Sequence, residues 1–211
     1  SALVVMSAIV VGQFAAVARA SGHHVTGVDV AAAPGVTDRL DRFVQADLDA
    51  GLGEELIVEL GDEPFDVVVM GDVLEHVRHP GRLLADARKL LAPGGSMLIS
   101  VPNFGHWYPM FRTALGAFDY DMRGILDRTH VRFFTRRSLM RLLDDANLRV
   151  VSFDQVGLPL GALAERSELG VDEHGEFDEQ GAGVLAKAEG ALAQAWPTMF
   201  AYQFLVKAEP A

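Results

Sequence analysis

Seven histidines, several aspartates at the ends of apolar runs and the absence of cysteine bound the chemistry open to this chain. Without a thiol there is no disulfide framework, thiolate zinc site, iron–sulfur cluster or cysteine nucleophile. A zinc-hydrolase helix carries two histidines four residues apart around a glutamate. Here Glu75-His76 and His79 put the histidines three apart, beside the helix-breaking Pro80. His23 and His24 are adjacent in a strand-like run and must point to opposite faces. The sequence therefore predicts no metal site, while a loosely held magnesium ion orienting a substrate is compatible with its carboxylates.

Asp29 lies at the end of the apolar run His23 to Val30, and Gly71-Asp72 follow FDVVVM at 65–70. A carboxylate at the end of a parallel strand is placed to accept hydrogen bonds from both hydroxyls of a cofactor ribose. A nicotinamide dehydrogenase of the short-chain type would also need Tyr and Lys four residues apart. The residues four after Tyr108, Tyr120 and Tyr202 are Arg112, Gly124 and Val206, so hydride transfer is disfavoured. The blander role for Asp29 and Asp47 is turn formation or helix capping.

Such residues need a scaffold, and the hydropathy pattern supplies one. Strand-like runs at 2–11, 23–30, 43–46, 65–70, 96–101, 149–156 and 199–207 alternate with helix-like segments at 12–20, 38–42, 54–60, 80–91 and 135–148. Pro80 opens the fourth helix and Pro93-Gly94-Gly95 ends it. Alternating strands and helices predict an α/β fold, doubly wound around a mostly parallel seven-stranded sheet. The 211 residues are read as one domain, 1–211, large enough to bury a core without staples.

Two segments interrupt the alternation. Residues 103–135 are rich in aromatics and read as a lid over the site, whereas 157–195 carry eight acidic residues between glycines and read as a solvated insertion. Seven of the 18 basic side chains (Arg112, Arg123, Arg128, Arg132, Arg136, Arg137 and Arg141) fall in the lid and the helix after it. They either pair with Asp119, Asp121, Asp127, Asp144 and Asp145 or present a positive field to an anionic or polyhydroxylated acceptor. A net charge of −11 and a pI near 5.0 argue against generic nucleic-acid binding. The apolar run Leu3 to Val11 is too short to span a bilayer and has no basic flank, so a cytoplasmic protein is expected.

Four stretches stand in a recognisable order: GVDV at 27–30, ADL at 46–48, FDVVVMGDVLEHV at 65–77 and LLAPGGSMLISVPN at 90–103. Together they resemble the class I S-adenosylmethionine-dependent methyltransferases, which have a Rossmann-like fold. DRTHVRFFTRRSL at 127–139 and FAYQFLV at 200–206 are similar to a branch associated with glycan and polysaccharide biosynthesis, and distantly to the MetW proteins. The resemblance implies S-adenosyl-L-methionine as cofactor. It assigns the ribose to Asp29 beside Val30, the adenine amine to Asp47 beside Leu48, and the methionine half to Gly71 and Asp72. Of the family's glycine-rich first loop only Gly12 remains in the stretch Met6 to Gly12. This departure leaves open a remodelled loop, a chain shortened at that point, or a domain that does not bind the cofactor.

The expected activity is methyl transfer to a hydroxyl, most plausibly of a sugar or oligosaccharide. A methyltransferase for another small molecule and a catalytically silent, MetW-like partner protein are the alternatives. Transfer needs one proton removed from the acceptor, for which a histidine is suited. His76 follows the fourth strand, His106 opens the lid, and His130 lies in the DRTH stretch. His130 is the first choice as base, with His106 next, and its blander role is a hydrogen bond to Asp127.

Overall fold

The computed structural model describes residues 1–7, 11–32, 35–61, 64–157, 191 and 195–211. The β-branched runs form β1 (Ala2–Ser7), β2 (His24–Asp29), β3 (Arg42–Gln45), β4 (Phe65–Gly71), β5 (Leu91–Pro102), β6 (Leu148–Val156) and β7 (Gln203–Pro210). These strands build a single seven-stranded sheet in the order β3-β2-β1-β4-β5-β7-β6. β7 runs antiparallel to both neighbours, β5 and β6, and the pairs among the other strands are parallel. This is the Rossmann-like sheet that the alternation predicts.

Alternate residues of the central strands face different layers, as the pleat requires. Val4, Met6, Val68 and Met70 share one core cluster with Leu83 and Leu84 of α3 (Pro80–Arg88) and Leu139 and Leu143 of α5 (Arg136–Asp145). Leu3, Val5 and Val69 cluster instead with Ala15 and Ala18 of α1 (Val11–Ala20). α2 (Gly53–Gly61) precedes β4, and α4 (Trp107–Ala114) lies in the segment after β5. α5 starts where Thr135 and Ser138 cap each other's backbone N–H groups.

Some boundaries differ from the sequence expectation for local reasons. β1 ends at Ser7 and not at Val11, where α1 has begun. α3 ends at Arg88, and Pro93-Gly94-Gly95 belongs to the entry of β5, where Leu91 already pairs with Phe65. The register shifts between Phe65 and Val67, and a Cβ at Gly95 would sit 3.0 Å from the Phe65 carbonyl. Glycine is what lets the two backbones approach there. At the other end, Pro197–Phe200 forms a helical turn, so β7 begins at Gln203 and not at Met199. The acidic insertion at 157–195 lies almost entirely outside the described residues.

The strand order reverses at β1, which has β2 on one side and β4 on the other. Open α/β sheets hold ligands in the crevice beyond the strand C-termini at such a point. Ser7 and Gly71, paired across β1 and β4, form its floor, and Asp29 ends the next strand. Among the described residues no helix is long and apolar enough to cross a membrane.

Candidate active site

Asp29 is half-buried at the end of β2, and its Oδ1 accepts the Val30 N–H at 2.6 Å. Burial pushes its carboxyl up, with the Val30 and Ala31 N–H groups opposing. No Lys or Arg pairs with it among the described residues, so its carboxylate is available to hydroxyl donors. A Cβ at Gly27, two residues earlier, would meet the Leu40 side-chain methyls, so glycine there lets Leu40 pack directly over β2. Val30 is exposed. Asp47 is exposed and caps the 3-10 turn Leu48–Ala50 through Asp49 N–H, and Leu48 packs at the core margin. Gly12 lies in the first turn of α1, directed by the fold at the crevice end of β1.

The turn after β4 is held with unusual firmness. Asp72 adopts φ 53°, a left-handed conformation that aspartate tolerates better than most residues. Its Oδ1 accepts from Ser100 Oγ at 2.9 Å and from Gln203 Nε2, tying the turn to β5 and β7. Beyond it, the Glu75 carbonyl accepts the N–H groups of Val131 at 2.8 Å and Arg132 at 3.0 Å. Arg78 pairs with Asp49, and Arg132 donates to the Arg78 carbonyl. The 125–134 loop, the turn after β4 and the turn at 47–50 are thereby stapled together.

That stapling brings two of the three candidate histidines into contact. The His76 and His130 rings meet edge to face with centroids 4.8 Å apart. His130 is 8% exposed, and its Nδ1 faces the Ile125 carbonyl at 3.1 Å, not Asp127, whose Oδ1 caps Thr129. His76 Nδ1 faces the Thr129 carbonyl at 3.3 Å. A carbonyl can only accept, so each Nδ1 carries the proton and each Nε2 keeps its lone pair. Burial pushes the His130 imidazole down, with the Ile125 carbonyl opposing, and so favours the neutral, proton-accepting form.

Glu75, which the sequence weighs only with His76 and His79 in a metal-binding spacing that it fails, completes the group. It is 1% exposed, neither carboxylate oxygen has a partner among the described residues, and one donor atom each from Glu75, His76 and His130 lie within 4.8 Å of one another. Burial, reinforced by the Asp72 charge, pushes its carboxyl up to about 8. A single acidic residue inside the apolar run VLEHV was the available signal. His79, weighed with His76 from spacing, instead stands exposed at the start of α3.

His106 does something else. It caps α4, with Nδ1 accepting the Tyr108 N–H at 3.2 Å, and its buried Nε2 has no partner. Burial pushes it down to about 4. The unfolded chain takes up this proton near pH ~6.5 and the folded chain only near 4, so the unfolded state binds more protons in between. This contribution to stability is present above pH ~6.5 and is lost as pH falls toward 4, by on the order of 3 kcal/mol. His106→Asn keeps a capping acceptor without the titration. Urea unfolding across this range should show the wild type losing stability relative to the variant, and parallel profiles would refute the assignment.

The lid segment is divided in two. Ile125, Leu126, His130 and Phe134 are buried, whereas Trp107, Met110, Phe111 and Met122 are exposed. Of the arginines, Arg112 pairs with Asp121 and stacks on Tyr108, and Arg136 lies over Phe153. Arg123, Arg128 and Arg137 are exposed. A separate apolar cavity of about 370 Å³ lies on the α1 face, lined by Val5, Phe14, Val69, Leu98 and Leu205 and reaching Gly71 and Ser100.

Comparison with known proteins identifies the family and the fold. Residues 11–153 match the family described as a methyltransferase domain. The chain is 40% identical over 85 residues to the ubiquinone biosynthesis O-methyltransferase of Maricaulis maris, a stretch covering 39% of this chain and 33% of that protein. It is 30% identical over 158 residues to the protein of the same name from Aromatoleum aromaticum, covering 72% and 65%. The chain thus spans about a third of the length of the first relative and under two thirds of the second. The fold matches a SAM-dependent methyltransferase from Archaeoglobus fulgidus with a TM-score of 0.58 at 17% identity, covering 98% of this chain and 85% of that one.

Proposed function

The chain belongs to the methyltransferase-domain family, and from that premise we propose that it is an S-adenosyl-L-methionine-dependent O-methyltransferase. The observation that carries this reading is the convergence of His76, His130 and Glu75 a few residues beyond Gly71-Asp72. Proton-accepting groups that follow the turn at the end of β4 suit removal of the acceptor's proton. When bound, S-adenosylmethionine supplies a methyl group on a sulfonium centre.

The residues present suit that cofactor. Asp29 offers a carboxylate with no cationic partner among the described residues to the ribose hydroxyls, Gly71 has no side chain at the end of β4, and Asp72 is held beside it by Ser100. Asp47, its Oδ1 already engaged by Asp49 N–H, contributes to the adenine end together with Leu48. Residues 8–10 of the first loop lie outside the described residues. The protein's tasks are alignment, exclusion of water and removal of the acceptor proton. His76 and His130 take that proton end of the site. His106 does not, because its Nδ1 lone pair is committed to a backbone N–H.

The acceptor is a small molecule with a ring hydroxyl. The names of the relatives favour an intermediate of ubiquinone biosynthesis, and the exposed Trp107, Phe111 and Met122 suit an apolar ring. A sugar or oligosaccharide hydroxyl is the second reading, supported by the exposed guanidinium groups of Arg123, Arg128 and Arg137. Transfer of labelled methyl from S-adenosylmethionine to a catechol panel and to an oligosaccharide panel tests both. Methyl ether on either, absent from a His76→Gln/His130→Gln double variant, supports the function and selects the acceptor class. No transfer to either panel by a protein that binds the cofactor would overturn O-methylation of these classes.

A further inference from the structure

We propose that Glu75, His76 and His130 form a binding site for one divalent transition-metal ion, of which Zn²⁺ is the representative. Three observations converge. The first is proximity: a carboxylate oxygen and two imidazole nitrogens lie within 4.8 Å of one another. Close-packed oxygen and nitrogen acceptors repel each other unless a proton or a cation sits among them.

The second is orientation. Imidazoles that bind metals hand their other ring N–H to a carbonyl or carboxylate, which fixes tautomer and ring plane. Both histidines do this, His130 to the Ile125 carbonyl at 3.1 Å and His76 to the Thr129 carbonyl at 3.3 Å. Both Nε2 lone pairs remain. The frame that holds the two histidines is rigid, because the Glu75 carbonyl receives the N–H groups of Val131 and Arg132. The turn after β4 and the 125–134 loop are fixed to each other through the residue that supplies the third donor.

The third is the orphaned carboxylate. Glu75 is 1% exposed, and both its oxygens are buried without a partner among the described residues. A buried carboxylate is normally paired, hydrogen-bonded or bound to a metal. Among the described residues no Lys or Arg pairs with it. The nearby Arg132 donates instead to the Arg78 carbonyl, and Asp72 is occupied by Ser100 and Gln203. A cation is the missing partner.

Two nitrogens and one oxygen select the ion. Magnesium and calcium take oxygen donors, whereas imidazole suits zinc, iron and copper. Three protein donors leave at least one coordination position for water or for a substrate oxygen. Taken with the methyl-transfer reading, on which this last step rests, that position receives the acceptor hydroxyl. With the ion bound, both Nε2 lone pairs are engaged, so the two imidazoles promote proton removal through the metal and not as free bases: coordination lowers the hydroxyl's pKa, the O–H bond breaks, the proton passes to solvent and the electron pair stays on oxygen as the nucleophile.

The experiment is calorimetric titration of the chelator-treated full chain with ZnCl₂, without cofactor or acceptor. It is repeated on His76→Gln, His130→Gln and Glu75→Gln, with His79→Gln as an exposed control. The expected result is one ion per chain, bound roughly 100-fold or more weakly in each of the three variants and unchanged in the control, since loss of even an outer-shell partner costs 10–100-fold. Co²⁺ should give a visible d–d spectrum that the His76→Gln substitution alters. His76 is only half-buried, so this variant is the one to retain its fold if the Glu75 and His130 variants do not. No stoichiometric binding, or binding that the folded His76→Gln protein retains in full, would overturn the site. Zinc binding in a protein that transfers no methyl group would uphold the site and refute the methyl-transfer reading; methyl transfer without zinc binding would do the reverse.

Discussion

His130→Gln is expected to lower kcat by roughly 10²–10⁴-fold while leaving affinity for S-adenosylmethionine at its wild-type level. The Nε2 lone pair is lost, and glutamine keeps a side-chain N–H that can still reach the Ile125 carbonyl, so the loop retains its anchor. His130 sits against His76 and Glu75 and not at the end of β2, so the ribose contact is untouched. The split between kcat and cofactor affinity separates a role in proton removal from general damage, which would reduce both. Near-normal turnover with a competent acceptor would exclude His130, and the same measurement on His76 would then decide whether either imidazole acts.

Asp29→Ala is expected to have the opposite signature, with cofactor affinity reduced by roughly 100-fold. Two hydrogen bonds from ribose hydroxyls to a charged acceptor are worth on the order of 1.5 kcal/mol each or more, and every 1.4 kcal/mol is tenfold in affinity. The fold should survive, because the partners of Asp29 are backbone N–H groups of Val30 and Ala31 at the exposed end of the strand. Circular dichroism and thermal unfolding check that survival, and titration reads the affinity. Unchanged binding in a folded variant would show that the end of β2 does not hold the ribose.

The scaffold was legible because its signals are local. Continuous apolar runs such as FDVVVM read as central strands, and Pro80 followed by spaced leucines reads as a helix on their flank. The boundaries that moved depended on contacts distant in sequence. Gly95 ends no helix because the Phe65 and Asp66 carbonyls approach it across the sheet, and β7 starts late because Pro197–Phe200 turns first. Of the proposed site, Asp29 at the end of β2 is singled out by position, whereas the roles of Asp47 and Asp72 come only from the family resemblance.

The histidine cluster was only half legible. His76 and His130 each stood out, yet they are 54 residues apart and only the stapling of the 125–134 loop to the Glu75 carbonyl brings them together. Spacing arithmetic therefore weighed His76 against the nearby His79, which is exposed. Glu75 was weighed only in the Glu75-His76/His79 spacing and set aside there, because its environment, not its neighbours in sequence, makes it unusual. His106 illustrates the reverse: its place at the head of the lid resembled that of a base, and the backbone geometry of α4 turned its lone pair into a cap.

The central claim is that the crevice between β1, β2 and β4 holds an adenosyl cofactor even though the first loop keeps one glycine of the family's set. Isothermal titration of the full chain with S-adenosylhomocysteine addresses it most directly, because binding is read without any acceptor being known. The account predicts saturable binding of one molecule per chain, abolished or weakened roughly 100-fold by Asp29→Ala. No heat of binding and no thermal stabilisation at saturating concentrations would contradict it and leave a methyltransferase-like module without methyltransferase chemistry.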